Sequence, residues 1–236
     1  MKVAVLQSNY IPWKGYFDII HDVEVFVFYD DVQFTKNDWR HRNKIKTPSG
    51  AQWISIPAGT NLNRLICEVE LKDSGWQKKH WKTITQNYIK APFFKDYREF
   101  FEEVYLGRSW GTLSELNQFL IKHIAAEFLG IKSVFKDSRD YQPEGKAGDR
   151  LLDLLVKLKT QIYVSGPSAQ DYIDQGKFTA AGISLIYKDY SGFPEYSQCY
   201  SPFDHFVSII DLLFNCGPDA PDYIWGRREK VSGKPG

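Results

Sequence analysis

The sequence contains few cysteines and no long hydrophobic run. Its three cysteines lie far apart and form no CxxC motif: Cys67, Cys199 and Cys216. Separated cysteines in odd number argue against a disulfide framework or a zinc site and favour reduced thiols. The apolar N-terminal run is broken at Gln7, too early for a signal peptide or a membrane span. We therefore expect a cytoplasmic protein with no membrane partner.

An excess of charge of one sign is also lacking. The 30 Lys and Arg residues nearly balance the 29 Asp and Glu residues, and the formal net charge is +1 at pH 7. Nucleic acids and anionic membranes bind proteins with excess positive charge, so we predict no nucleic-acid partner. His123 has no second His four residues away in its helical segment, and we predict no metal site. No motif indicates a cofactor or an oligomeric state.

Aromatic residues, by contrast, are abundant. The 7 Trp, 14 Tyr and 16 Phe make up 16% of the chain, and apolar residues in total make up 43%. This is enough for a real core. Trp and Tyr in excess indicate pockets lined by rings with a polar edge, although a large core uses them too.

Strand-like and helix-like segments alternate at both ends of the chain around a helical middle. Apolar and β-branched runs predict strands at 3–6, 23–29, 131–136, 161–164 and 183–187, with a further candidate at 66–71. Apolar residues at helical spacing predict helices at 76–88, 96–105, 113–129, 149–158, 169–175 and 203–215. TPSG, residues 47–50, predicts a hairpin turn, and the polar residues 137–148 a mobile loop.

This alternation predicts an α/β fold. We expect a Rossmann-like, mostly parallel sheet with helices on both faces and a helical insertion at about 76–129. The length of 236 residues allows one large domain or two small ones. We predict a single domain over residues 1–225 and a disordered tail over residues 226–236.

The first strand runs into a polar loop that precedes a helix, within VAVLQSNYIPWKGYFDII at residues 3–20. In open α/β sheets such a loop lies at the carboxyl end of the strand, where ligands bind. The alternative is an ordinary connection. Two amide and two aromatic side chains exceed what a connection needs, so we predict substrate contacts from Gln7, Asn9, Tyr10 and Trp13.

Two carboxylates follow the second predicted strand. Asp30 and Asp31 end the apolar run VEVFVFY and are expected at the same edge of the sheet. Such a pair can bind Mg²⁺, act as a general base or cap a turn. Adjacent side chains of an extended strand point in opposite directions, so only one can face a pocket. We predict a catalytic base and prefer Asp31, which lies further along the chain.

A cluster of basic residues follows in DWRHRNKIK, residues 38–46. Its candidate anion-binding residues are Trp39, Arg40, His41, Arg42, Asn43 and Lys44. Arginine gives bidentate contacts to phosphate, and tryptophan gives a stacking face. The alternative is a solvated hairpin edge, because Lys and Arg protect exposed strands from pairing.

A third candidate site lies in YVSGPSAQDY, residues 163–172. Ser165 ends a predicted strand, and Ser168 could cap the next helix, whose free amides would suit a phosphate or a carboxylate. The segment lacks the Lys and the second Gly of a P-loop and has no GxSxG. A simple helix cap is the equally supported alternative.

Several of these segments together resemble the WbqC-like proteins. They are QSNYIPWKGYFDII, VFVFYDDVQFTKNDWRHRNKIKTPSG, YIKAPFF, YVSGPSAQDYI and VSIIDLLFNCG, in order from about residue 3 to residue 217. Members often carry a His or Met before a Gln-Pro, where this chain has Leu6-Gln7-Ser8. Arguments that depend on that His or Pro therefore do not transfer.

The resemblance implies a transferase of O-antigen and surface-polysaccharide (lipopolysaccharide) biosynthesis. Its partners would be a nucleotide-linked amino sugar and a small acyl or aminoacyl donor. Arg40, Arg42 and Lys44 would hold the pyrophosphate, and Tyr10, Trp13 or Trp39 would stack on the base or sugar. Asp30 or Asp31 would take the proton from the amine, with His41 as the competing base. Gln7 and Asn9 would orient the acyl group.

Two alternatives remain open. One is a non-catalytic nucleotide-sugar binder or an assembly partner of a glycosyltransferase, which would bind without turnover. The other is a HIGH-type nucleotidyl transferase, which the strand, the Pro-containing loop and the helix start resemble. Trp13 and Tyr16 stand where the two His of that motif would lie, and neither can replace an imidazolium on phosphate.

Overall fold

The structure, a computed structural model, describes residues 1–73, 75–171 and 173–226. Its strands, in chain order, are β1 (Lys2–Leu6), β2 (Val25–Phe28), β3 (Arg42–Thr47), β4 (Gly50–Ser55), β5 (Val134–Asp137), β6 (Ile162–Ser165) and β7 (Ser184–Tyr187). Five of them form one parallel sheet in the order β5-β2-β1-β6-β7, and β3 and β4 form an antiparallel hairpin. The predicted α/β class and parallel sheet are confirmed.

Helices surround this sheet. They are α1 (Lys14–His21), α2 (Gly75–Tyr88), α3 (Phe94–Glu102), α4 (Leu113–His123), α5 (Ala147–Lys157), α6 (Gln175–Ala180) and α7 (Ile209–Cys216). Helices α2 to α4 lie between the hairpin and β5, in the region predicted as a helical insertion. Within the described ranges, no helix combines the length and the apolar character that crossing a bilayer requires.

The alternation of side chains along each strand explains the two layers of core. Val3 and Val5 of β1 pack in a cluster with Leu154 of α5, whereas Ala4 between them packs in a cluster with Phe17 of α1. Successive side chains of a strand point to opposite faces, so a continuous apolar run is what a sheet covered on both faces requires. The hairpin and the inserted helices belong to the α1 layer.

A topological switch point lies between β1 and β6, at the centre of the sheet. The connection after β1 passes through α1 on one face, and the connection after β6 passes through α6 on the other. The loops that leave the two carboxyl ends therefore diverge. A crevice between them follows from the strand order alone, and it is where open α/β sheets bind ligands.

Two predicted elements differ from the structure. Residues 66–71 form a 3-10 turn over Ile66–Glu68 and one isolated bridge, because Ile66 and Val69 point inward at three-residue spacing rather than in alternation. Helix α7 begins at Ile209 rather than at residue 203. The preceding Ser208 ends the loop, since its hydroxyl accepts from the backbone N–H of Ile210 and its own N–H donates to the carbonyl of Lys44.

Two predictions after β5 and β6 also need correction. Residues 137–148 are only in part a loop, because Ser138–Tyr141 form a 3-10 turn and α5 already begins at Ala147. The helix predicted at 169–175 is instead a 3-10 turn over Pro167–Asp171, followed by α6. Of the predicted disordered tail, residues 227–236 lie outside the described residues.

A buried polar chain joins the loop after β1 to the inserted helices. The Nε2 of His80 lies 3.1 Å from the carbonyl oxygen of Ser55, which can only accept, so Nε2 carries the proton. Nδ1 of His80 therefore accepts from the hydroxyl of Tyr10 at 2.9 Å, and the hydroxyl of Tyr105 donates to Tyr10 at 2.5 Å. Burial lowers the pKa of His80 to about 4.

The free energy of unfolding should fall on acidification through His80. An unfolded His titrates near pH 6.5 and the folded one near pH 4, so the unfolded state binds the extra proton between these values. Stability is fully present above pH 6.5 and should lose about 3 kcal/mol by pH 4. Urea denaturation of wild type and His80→Gln across this range measures it. Equal pH dependence in the two proteins would contradict the assignment.

Candidate functional site

A cavity of about 620 Å³ lies in the crevice at the switch point. The loops after β1, β6 and β7 form most of its wall, and Arg40, His205 and Phe206 complete it. Its volume is within the range of small-molecule sites. The polar lining residues are Gln7, Asn9, Arg40, Ser168, Ser191 and His205, and the aromatic ones are Trp13, Tyr16, Tyr190, Phe193 and Phe206.

The guanidinium of Arg40 is the main charged group of the cavity. Its two terminal nitrogens donate to the side-chain oxygens of Asn9 and Gln7, and its Nε–H is buried without a partner among the described residues. Burial lowers the pKa of Arg40, while Asp38, 3.6 Å away, opposes this effect. Arginine stays charged at neutral pH, so the cavity holds a fixed, oriented cation.

The neighbours of Arg40 are themselves held in place. The hydroxyl of Tyr16 donates to the backbone carbonyl of Gln7 at 3.0 Å. The side chain of Asn117, on α4, donates to the backbone carbonyl of Arg40 at 2.8 Å. Because Arg40 occupies the oxygens of Gln7 and Asn9, the amide N–H groups of these two residues remain as donors for a ligand.

Trp13 organises the aromatic wall. Its ring centroid lies 5.2 Å from that of Tyr190, 5.9 Å from that of Phe193 and 5.5 Å from that of Phe206. The indole lies against Gly15, where an added Cβ would come within 2.3 Å of the ring. The absence of a side chain at Gly15 therefore allows the indole of Trp13 to take its position in the aromatic wall.

The loop after β1 carries a strained residue. Ile11 is β-branched and has φ of +36°, a backbone conformation that such side chains rarely adopt. The side-chain amide of Asn43 holds it by donating to the carbonyls of Tyr10 (3.0 Å) and Ile11 (2.8 Å). Asn43 also lines a second pocket of about 230 Å³ next to the cavity.

Asp30 supports the site from outside the cavity. Its carboxylate is fully buried and accepts from the backbone N–H of Ser8 at 2.7 Å, from the side chain of Gln118 at 3.1 Å and from the hydroxyl of Ser114. These donors come from the loop after β1 and from α4. Asp30 does not line the cavity, so its geometry is that of a structural acceptor rather than of a catalytic base.

Asp31 is also engaged elsewhere. It forms an ion pair with Arg150 at 2.7 Å and accepts from the hydroxyl of Ser138. The two carboxylates do point to different neighbours, as an extended strand end requires, but neither neighbour set belongs to the cavity. The geometry does not bring the predicted catalytic carboxylates to the crevice.

The predicted basic cluster is divided by the hairpin. Arg40 precedes β3 and reaches the cavity, whereas Arg42 and Lys44 lie over the ring of Trp53 on the hairpin surface. His41 is buried next to the ring of Phe34, and burial lowers its pKa. His41, Arg42 and Lys44 therefore do not line the cavity.

Some of the remaining predicted site residues line one of the pockets, and others do not. Trp13 and Ser168 line the cavity, and Trp39 lines the second pocket. Tyr10 is buried against His80, and Ser165 is buried with its hydroxyl on that of Tyr163 at 3.3 Å, so neither lines the cavity.

Sequence reasoning missed several cavity residues. Tyr190 to Phe193 follow β7 in the segment DYSGFP, which has the same strand-then-Gly-loop pattern as the loops after β1 and β6. That pattern could have identified them. His205 and Phe206 lie in the loop before α7, in a segment that the sequence predicted as helix, so the prediction did not place them at the crevice.

His205 supplies the imidazole of the cavity lining. Burial, and then the neighbouring Lys14, lower its pKa below the ordinary value of 6.5. Its Nδ1 is buried and has no hydrogen-bond partner among the described residues. A neutral imidazole at this place can accept a proton from a bound ligand.

Comparison with known proteins gives one family and one relative. A family model described as the WbqC-like protein family matches residues 7–223. "Uncharacterized protein Rv1507c" of Mycobacterium tuberculosis (strain ATCC 25618 / H37Rv) is 41% identical over 225 residues, which cover 94% of this chain and 97% of the relative. No solved structure matches the chain.

Replacing Asp30 by Asn should lower stability. The carboxylate accepts hydrogen bonds with both oxygens, whereas the NH₂ group of an amide cannot accept. One of the buried donors around residue 30 therefore loses its acceptor, at a cost of about 1–3 kcal/mol. Asp149→Asn is the matched control, because Asp149 is exposed and its ion pair with Lys177 lies on the surface. Denaturant unfolding of both variants measures the difference. Equal loss in the two would refute the structural role.

Proposed function

This chain belongs to the WbqC-like protein family, and from that premise we propose a cytoplasmic transferase of surface-polysaccharide (O-antigen) assembly. It binds a nucleotide-linked amino sugar in the cavity at the switch point. It then moves a small acyl or aminoacyl group onto the amine of that sugar. The observation that carries the proposal is the oriented cation Arg40 in the lining of an aromatic cavity.

The electrostatics support a diphosphate ligand. A guanidinium offers five N–H donors in one plane. In Arg40 two of them are bonded to the side-chain oxygens of Gln7 and Asn9, and the carboxylate of Asp38 lies 3.6 Å from one terminal nitrogen. Charge-assisted bonds from arginine to phosphate are short and often bidentate. The amide N–H groups of Gln7 and Asn9 add neutral donors beside the cation.

The aromatic wall supports a base or a sugar ring. Trp13, Tyr190 and Phe193 give flat apolar surface within a volume of about 620 Å³. Rings of this kind stack on nucleobases and cover the apolar faces of sugars. The cavity therefore combines the two kinds of contact that a nucleotide sugar needs.

His205 is the proton acceptor in this proposal. The amine nitrogen of the sugar bonds to the carbonyl carbon of an activated acyl donor, and the leaving group of the donor departs with the bonding electrons. The imidazole of His205 takes the proton that the nitrogen loses. It replaces Asp30, Asp31 and His41 in this role, because they do not line the cavity.

A specific observation favours a second candidate, a binder of nucleotide sugars without turnover. Both carboxylates that end β2 have partners outside the cavity, which leaves His205 as the only imidazole or carboxylate among the described lining residues. Such a protein would present the nucleotide sugar to a glycosyltransferase. Turnover of a nucleotide-linked amino sugar with an acyl donor would identify the transferase, and binding without turnover would identify the binder.

Arg40→Ala should weaken binding of nucleotide-linked amino sugars by about 1.5–3 kcal/mol, because a charge-assisted bond to phosphate is lost. Arg40→Lys should recover only part of this, since an ammonium lacks the planar fork. Arg98→Ala, an exposed arginine of α3 paired with Glu102, is the matched control. Titration calorimetry with uridine- and thymidine-diphosphate amino sugars measures the affinities. Wild-type affinity in Arg40→Ala would end the anion-site interpretation.

His205→Gln should cut turnover by about 10²–10⁴ while nucleotide-sugar affinity stays within about twofold. In wild type, kcat should be constant above pH 6.5 and decrease below it, because the pKa of His205 is lowered and only the neutral ring accepts a proton. Steady-state rates with an activated acyl donor test both points. Full activity in His205→Gln would exclude the ring as the base, and tight binding without turnover in wild type would favour the binder.

A further inference from the structure

A second pocket opens beside the main cavity and shares part of its wall. It has a volume of about 230 Å³, and Asn9, Trp13 and Phe206 line both spaces. Trp39 and Pro12 are among the residues that line only the second pocket. A ligand in each space would therefore meet the other at Trp13 and Phe206.

An aromatic and cationic surface continues from this pocket over the hairpin. The ring of Trp39 lies 5.0 Å from that of Trp53, and the two side chains belong to residues that are 40% and 38% exposed. Lys44 stands directly opposite Trp53 in the β3–β4 register, and Arg42 lies two residues earlier on the same side of β3. Both cations lie over the Trp53 ring, at 4.2 Å for Arg42 and 5.3 Å for Lys44.

Within the described residues, no carboxylate forms an ion pair with the cations of this surface. None of the ion pairs in the described part of the chain includes Arg42 or Lys44. Arg42 donates to the backbone carbonyl of Asn37, a neutral group. Two uncompensated cations beside two exposed indoles are the combination that binds a base and its phosphate.

We propose that the Trp39–Trp53 surface is a second nucleotide subsite, which holds the acyl donor. The donor is an acyl group activated on an adenine nucleotide, as an acyl adenylate or as a coenzyme A thioester. Its base stacks on the exposed indole of Trp39, its phosphates contact Arg42 and Lys44, and its acyl end enters the second pocket. The donor role rests on the function proposed above, whereas nucleotide binding at this surface does not.

Geometry supports this division between the two ligands. Arg40 lies in the main cavity and is bonded to Gln7 and Asn9, whereas Arg42 and Lys44 lie on the outer surface of the hairpin. Transfer then takes the acyl carbon from the second pocket to the amine in the main cavity, past the shared lining residues Trp13 and Phe206. In the thioester the carbon–sulfur bond breaks and the thiolate leaves with the electron pair. In the adenylate the carbon–oxygen bond breaks and adenosine monophosphate leaves.

Calorimetric titration of the whole protein with adenosine monophosphate and, separately, with coenzyme A tests the subsite. Trp39→Ala and Arg42→Ala should each weaken binding of the accepted probe by about tenfold or more. Trp39→Phe should retain most of the affinity, because a ring remains. Arg108→Ala is the matched control, since the exposed Arg108 also lies over an aromatic ring, that of the partly buried Phe119 at 4.6 Å, outside both pockets.

Each outcome decides one point. Binding of coenzyme A alone identifies a thioester donor, and binding of adenosine monophosphate with equal affinity identifies an adenylate. Failure of both probes to bind, or binding that Trp39→Ala and Arg42→Ala leave unchanged, overturns the subsite. Loss of uridine-diphosphate amino-sugar binding in these two variants also overturns it, because the surface would then belong to the main site. If the probes bind as expected but wild type binds no nucleotide sugar, the proposed function fails and the subsite stands.

Discussion

The buried carboxylate of Asp30 is the constraint on which the site depends. A charge without solvent exposure must be paired or fully hydrogen-bonded, and Asp30 obtains its donors from Ser8, Ser114 and Gln118. Ser8 lies between Gln7 and the rest of the loop that binds Arg40, and the other donors lie on an inserted helix. The insertion is therefore part of the site. The sheet sets where the crevice is, and the insertion sets the shape of the loop that lines it.

Much of the fold and a minority of the crevice residues follow from local patterns. Apolar runs that end in polar, Gly- or Pro-bearing loops identify the strands and the switch point, and with them Gln7, Asn9, Trp13 and Ser168. The role of the carboxylates does not follow, because the partners of Asp30 on α4 lie 84 and 88 residues along the chain. The position of His205 in the crevice could not be predicted for a related reason. Its place depends on where α7 begins, and Ser208 and the carbonyl of Lys44 decide that jointly.

The site differs in kind from the glycine-rich phosphate loop of dinucleotide-binding sheets. There, backbone N–H groups approach the phosphates and glycines make room for them. In this chain the loop after β1 carries a strained Ile11 rather than glycines, and side chains supply the donors. The arrangement of Arg40 with two side-chain amides requires a stiff frame. Asn43 and Asn117 provide that frame by bonding to the backbone of the loop and of Arg40.

The contact between Gly15 and Trp13 separates two properties that most sites combine. The missing side chain at Gly15 determines the width of the cavity, since a single added carbon would meet the indole at 2.3 Å. Gly15 itself makes none of the polar contacts to Arg40. The width of the aromatic wall and the placement of the Arg40 cation are thus set at different positions, so a substitution at residue 15 would reshape the cavity while Arg40, Gln7 and Asn9 keep their identity.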